Sequence, residues 1–367
     1  MAEIVSFGQR LKISVLAIAL FVLGIGFLLG ALTLVSWSFW LFLAVIITIA
    51  FVALPIAWLV KKLLTRFSVH STIPRFRSIW LTLVLLITAV VTFPYFYLAV
   101  KSETTPLVLP QAVLSDGNKT VIFQGMVHVG SENFYKSVVY DLEEALDEGY
   151  KLYYEGIMPS SPDADKWFSD TIAGGASLSD NYRQLADVCG VKFQLDYFKL
   201  LIHDIQARPE RHATVDVTTA DLKKEYERLL TENPAFAAAI AEEGDNKSEK
   251  KGLSDDAAKK IFSFVQHAND NQKNIIGTLC RGFFVYALKV TPDKKPQTLD
   301  PLLLDFRNKH LAQQIQADSN PKIYITYGAG HLPGLIQLLR EGNPAWEIKS
   351  LKWIRGMAAP EHLEGQL

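Results

Sequence analysis

The chain is expected to be an α/β protein preceded by a three-helix membrane region, and three observations predict this. The first hundred residues hold three long apolar stretches. Two later segments, TVIFQGMVHVG and KIYITYGAGHLPG, each join an apolar strand to Gly-x-x-His and then to helix-period sequence. The residues between these segments have a mainly helical pattern. The expected divisions are a transmembrane region over 1–101, a linker over 102–118, an α/β domain over 119–356 and a tail over 357–367. Within the α/β domain, two strand-GxxH-helix-strand units should flank a mainly helical middle insertion.

Ile13 to Leu34, Phe39 to Val60 and Ser78 to Val100 are almost uncharged and long enough to cross a hydrocarbon core of about 30 Å. Charge is absent all round them, which disfavours the alternative of helices buried in a soluble core. Pro55 and Pro94 are compatible with membrane spans. The first stretch is too long to be a cleaved signal peptide, and only Ser36, Trp37 and Ser38 separate it from the second. Lys61, Lys62, Arg66, Arg75 and Arg77 fill the second connection, and Arg10 and Lys12 precede the first span. The positive-inside rule therefore puts the N-terminus and the basic loop in the cytoplasm, and everything after Lys101 outside it. Seven of the 37 basic and one of the 38 acidic residues fall in the first hundred positions, leaving 30 against 37, a net of −7. Such a domain argues against a nucleic-acid partner, and the apolar spans make the lipid bilayer an expected one.

Ser102 to Asn118, with Pro106, Pro110 and the turn pair Asp116-Gly117, is expected as a linker. After the first strand and His128, Phe134, Val138, Leu142 and Leu146 predict a helix over Asn133 to Asp147. Lys151 to Glu155 follows as a strand. Ser179 is expected to cap a helix ending at Cys189; Asp221 to Leu230 is another; Ser254-Asp255-Asp256 should begin a long one toward Leu288. Glu242 to Lys251 is a charged surface loop by composition. Asp300-Pro301 opens a helix carrying LLLDFRNKHLAQQI. The strand Ile323 to Tyr327, the helix Leu332 to Arg340 and the strand Trp346 to Trp353 then repeat the opening plan. Cys189 and Cys280 lack metal-motif spacing, and either pair in an oxidising compartment or stay as buried thiols.

In α/β folds chemistry collects at the carboxyl ends of strands, where His128 and His331 are expected to converge and where Glu155 would join them. Gly125 and Gly328 are expected to supply positive-φ turns or close backbone approach to a ligand. Two imidazoles and a carboxylate make a plausible ligand set for a divalent ion such as zinc, cobalt or manganese, which would acidify its bound water. Without metal, Glu155 or a histidine would activate water, since Glu155 cannot be ligand and free base at once. His203, His212, His267 and His310 lack the repeated context and are expected to be structural. Tyr153, Tyr154 and Tyr327 read most simply as strand residues packed against helices, with Tyr327, beside Gly328, also a candidate to line the pocket.

Taken together, GMVH, the strand-end YYEG, the pair Arg307-Asn308 and the closing YGAGHLPGL resemble the TraB/GumN/Tiki superfamily over about Val121 to Trp353. GVKFQLDYF, with Gln194 and Asp196, is similar to its Gly-leucine-x-x-Gln segment. ATVDVTTADL, with Asp216, is similar to its Ala-Asp-Ser/Thr segment, although Thr214-Val215 stands where a small residue is usual. The three-helix anchor is not a general feature of that group. The resemblance implies a hydrolase-like scaffold, in some members a metal-dependent protease acting on extracellular peptides or proteins, in others an esterase or a haem-binding protein. It adds Asn308, Gln194 and Asp216 to the pocket. Arg307 becomes a candidate to bind a substrate carboxylate or an oxyanion, the alternative being a surface salt bridge with Asp305 or a neighbouring acid. Two readings follow: a membrane-anchored extracytoplasmic hydrolase, foremost a metal-dependent peptidase, or a ligand-binding or signalling membrane protein without turnover.

Overall fold

A computed structural model of the chain describes residues 7–67, 75–173, 178–247, 255–288 and 297–358. It divides into two compact units, 1–101 with 268–279, and 102–267 with 280–367. The first unit holds α1 (Phe7–Trp37), α2 (Phe39–Phe67) and α3 (Phe76–Thr104), each long and apolar enough to cross a membrane. Phe21, Trp40, Phe51 and Phe93 point outward, as a lipid-facing surface requires. Gly30 lets α1 approach α3, because a Cβ there would stand 2.6 Å from Thr92 Oγ1. Trp80 Nε1 ties α3 to α2 through the Ala50 carbonyl at 2.8 Å.

In the second unit, chain order runs β1 (Leu107–Ser115), β2 (Thr120–Met126), β3 (Val129–Gly130), α4 (Glu132–Asp147), β4 (Lys151–Tyr154), α5 (Pro162–Thr171) and α6 (Leu178–Cys189). Next come β5 (Lys192–Phe193), α7 (Gln194–Phe198), α8 (Ile202–Ala207), β6 (His212–Thr214), α9 (Thr219–Glu232), α10 (Pro234–Lys247) and α11 (Asp255–His267). The helix α12 (Asp270–Leu288) passes from the first unit into the second, and α13 (Arg307–Ala317), β7 (Lys322–Gly328), α14 (Leu332–Gly342) and β8 (Glu347–Met357) complete the order. Among the described residues six strands form one sheet in the order β6-β4-β7-β2-β1-β8. β6, β4, β7 and β2 are parallel, β1 is antiparallel to β2, and β8 is antiparallel to β1.

Alternation in the strands explains the layers. Phe123, Tyr153, Ile325 and Tyr327 face Leu311 and Ile315 of α13 and Leu335 and Leu339 of α14, while Leu152 and Tyr324 face Phe134, Val138 and Leu142 of α4. The central strands of the sheet are thus covered on both faces.

Several expectations need correction. Ser102 to Asn118 is not a linker: it contains β1, an inner strand whose Leu107, Leu109, Ala112 and Leu114 are buried. Pro110, a turn-former by composition, lies within this strand, where the sheet tolerates its missing N–H. Glu242 to Lys247 continues α10 rather than starting a loop, and residues 248–251 lie outside the described residues. The long helix toward Leu288 is two helices. The break is set by Asn269, whose side chain accepts from Gln272 N at 3.0 Å while Gln272 Oε1 accepts from Asn269 N at 3.1 Å, a reciprocal cap. Ser254 itself lies outside the described residues. Ser179 sits inside α6 rather than capping it. Asp300 does occupy the cap position before Pro301, but its carboxylate accepts from Gln297 N at 2.7 Å. After β7 and α14 the chain does not return beside β7. β8 pairs with β1 at the far edge of the sheet and runs on to Met357, so the strand extends past the expected tail boundary.

Candidate active site

Four parallel strands end at one edge of the sheet, and each end delivers a polar side chain. β2 leads to His128, β4 to Glu155, β6 to Asp216 and β7 to His331. α13 supplies Arg307 and Asn308 from its first turn, directly after a wide π-helical segment, Pro301–Phe306, of the kind often found at functional sites.

Arg307 organises the cluster. Its Nε donates to Asp216 Oδ1 at 2.9 Å and its Nη2 to Asp216 Oδ2 at 2.5 Å, while Nη2 also reaches Glu155 Oε1 at 2.7 Å. Asp216 is closed from solvent and its carboxylate is further satisfied by the N–H groups of Gly156 at 3.0 Å and Val217 at 2.8 Å. The other oxygen of Glu155 accepts from Gly328 N at 2.6 Å. Burial pushes the Glu155 pKa up, but His331 and Arg307 outweigh it and hold the carboxyl far below the usual carboxylate range. Desolvation opposes the charge on Arg307, yet Asp216 and Glu155 keep it firmly protonated.

His331 is buried against the same guanidinium. Its Nδ1 lies 2.8 Å from Asn308 Oδ1, an oxygen that only accepts, so Nδ1 carries a proton. Nε2 stands 3.3 Å from Arg307 Nη1 and 3.7 Å from Glu155 Oε1. Gly334 makes room for this arrangement, since a Cβ there would meet Asn308 Nδ2 at 2.5 Å. Tyr327 lies beneath the site rather than lining it: its hydroxyl donates to the Val215 carbonyl and its ring meets His331 edge-on at 5.2 Å.

His128 faces a separate space. A cavity of about 270 Å³ is lined by Met126, Val127, His128, Val129, Glu155, Tyr182, Leu185, Gln194, Phe284 and Gly328. The His128 ring is exposed to it and stacks on Tyr182 with centroids 4.3 Å apart. Desolvation lowers the His128 pKa; Glu155 opposes this and Arg307 adds to it. Glu155 therefore bridges the cluster: it borders the open cavity with His128 and contacts buried Arg307 and His331 on its other side.

The remaining candidates divide clearly. Gln194 lines the cavity, whereas Asp196 lies at the surface with Arg183 and Lys199. Gly125 and Gly328 do not have positive φ; among the described residues only Gly117, Gly149 and Gly190 do. Gly125 instead permits close approach of Pro110, whose Cδ would lie 2.8 Å from a Cβ. Arg307 does not pair with Asp305. His212 is held by Asp204 at 2.7 Å and Tyr154 at 2.9 Å, a structural role. The apolar wall made by Tyr182, Leu185 and Phe284 was missed by sequence reasoning.

Donor types alone suit a divalent ion, but their arrangement does not. The space between Glu155 and His331 is taken by the Arg307 guanidinium, and a like charge about 4 Å away costs roughly 4 kcal/mol per unit charge at an effective dielectric near 20. Among the described residues no three His, Cys, Asp or Glu side chains form a group able to hold a metal. Comparison with known proteins adds no relative: no family model matches the chain, and neither a curated protein nor a solved structure is significantly similar to it.

Proposed function

We propose that the chain is a membrane-anchored hydrolase of the TraB/GumN/Tiki kind, acting on peptide or protein substrates outside the cytoplasm. One observation carries the reading: the strand ends bring His128, Glu155, Asp216 and His331 to one sheet edge beside an open cavity, where Arg307 joins them. The basic residues of the second helix connection favour a cytoplasmic loop, and the Cys189–Cys280 bond suits an oxidising compartment.

The chain's own groups suffice for metal-independent hydrolysis of an amide. His128, neutral at pH 7 and open to the cavity, takes a proton from water as the water oxygen bonds to the carbonyl carbon. The same proton then passes to the leaving nitrogen as the C–N bond breaks, giving an acid and an amine. Glu155, ionised and bordering the same cavity, favours the imidazolium formed on the way. The Gln194 amide supplies N–H donors for the developing oxyanion. Arg307 is a positioning residue that keeps Glu155 charged and fixed. The volume of the cavity falls below the roughly 300–1,000 Å³ of pockets that enclose small-molecule ligands, which favours a single side chain over a porphyrin.

The test is cleavage of a diverse peptide pool by the full-length protein in detergent micelles with EDTA present, with new termini read by mass spectrometry. Cleavage is expected, and His128→Ala and Glu155→Gln should each lower it by about 10²–10⁴-fold. Absence of new termini would reject hydrolysis; loss of cleavage in EDTA, restored by zinc, cobalt or manganese, would transfer the chemistry to a metal.

A further inference from the structure

The cavity beside His128 is lined by Glu155, Gln194, His128 and Gly328 together with Val129, Leu185 and Phe284, and these last three belong to one apolar cluster that forms a wall. A charged side chain pressed against that wall would lose its hydration without gaining a partner, whereas an apolar one would gain by leaving water. The wall is also fixed in place. Leu185 precedes Cys189 by one turn of α6, and Phe284 follows Cys280 by one turn of α12; each shares a helix face with its cysteine, and the two cysteines are bonded to each other. Arg281 adds a second tie through the Cys189 carbonyl at 2.7 Å. A wall pinned in this way does not spread to admit a larger or more polar group.

The geometry points to a specificity pocket: the ligand enters with an aromatic or long aliphatic side chain seated on Val129, Leu185 and Phe284, its adjoining peptide group beside His128 and Gln194. As a statement about substrate this rests on the hydrolase reading; as a statement about what the cavity holds it does not.

Two measurements on the full-length protein separate these. Diethyl pyrocarbonate modification of His128, read at that residue by mass spectrometry, reports whether the cavity is filled. N-acetylphenylalaninamide and N-acetylleucinamide should protect His128 at concentrations at least about tenfold lower than N-acetylglycinamide or N-acetylaspartamide, the discrimination a buried Leu- or Phe-sized group gives. Phe284→Ala should reduce that preference for the phenylalanine amide severalfold, and Leu185→Trp should remove it by filling the space. Equal protection by all four amides, stronger protection by the acidic one, or an unchanged preference in folded Phe284→Ala would overturn the assignment. In the peptide pool, cleavage beside large apolar residues supports it and cleavage without regard to the neighbouring side chain overturns it. Selective protection without any cleavage would remove the hydrolase reading and leave the pocket assignment standing.

Discussion

Arg307 holds Asp216 in a buried two-point ion pair, and the same Nη2 that closes the pair also reaches Glu155. One cation thereby ties together two carboxylates from the ends of two strands. Asp216→Ala should leave the guanidinium with Glu155 alone and cost about 3–5 kcal/mol, as expected when one partner of a buried pair is removed. Urea unfolding of the full-length protein in micelles checks this; a loss under about 1 kcal/mol would mean that water or rearrangement replaces the pair.

Stability should fall in acid as two paired carboxyls are protonated. Asp318 is hydrogen-bonded by Lys151 at 2.8 Å and Tyr153 at 2.5 Å; burial opposes its charge, but these partners hold its pKa at about 2. Glu155 is likewise held below the usual carboxylate range. A carboxyl depressed in the folded state stabilises the fold above its unfolded pKa and loses that contribution as pH falls through the folded value. Unfolding midpoints should thus be flat with respect to these two groups above about pH 4.5 and decline below it through both, because each carboxyl takes up its proton in the unfolded chain before it does in the folded one. Asp318→Asn should make the decline shallower without abolishing it.

The two motif glycines should respond differently to alanine. At Gly125 the added Cβ would stand 2.8 Å from Pro110 Cδ and 3.0 Å from its carbonyl oxygen, which predicts a loss of about 1–3 kcal/mol by overpacking. At Gly328 the nearest atom is Glu155 Oε2 at 3.4 Å, ordinary contact, so stability should change little while turnover changes through Glu155. Thermal melts paired with the peptide-cleavage assay distinguish the outcomes; equal destabilisation at both sites would contradict the packing described.

Removing the Cys189–Cys280 bond, which closes a separation of 91 residues, should cost about 2–4 kcal/mol. Cys189→Ser with Cys280→Ser, melted beside the oxidised and the dithiothreitol-treated parent, tests it. The double variant should match the reduced parent and be insensitive to reductant.

The three apolar helices, the strands β2, β4 and β7 and the helices behind them were legible because each carries its burial pattern locally. Pro110 hid β1: the signal for a turn was stronger than the alternation of Leu107, Leu109 and Leu114 around it. The positions of His128, Glu155 and His331 at strand ends were also legible. The Arg307–Asp216 pair was not, because nothing in either segment states that residues 91 apart meet. Leu185 and Phe284 were readable only in retrospect, each one helical turn from a cysteine once the pairing is known.

The placement of β7 carries a consequence for how the molecule is made. It enters between β2 and β4, pairing Thr120 with Lys322 and Lys151 with Ile323. Until that late segment emerges from the ribosome, β2 and β4 each have an unpaired edge and the sheet exists only as fragments. Pairing across so many residues is slow, and open edges invite association with other chains. The cluster around Arg307 also draws on residues from both sides of this gap, so a growing or truncated chain that ends before His331 has no complete site. The polar cluster at this edge is therefore assembled only after β7 and the residues that follow it have been synthesised.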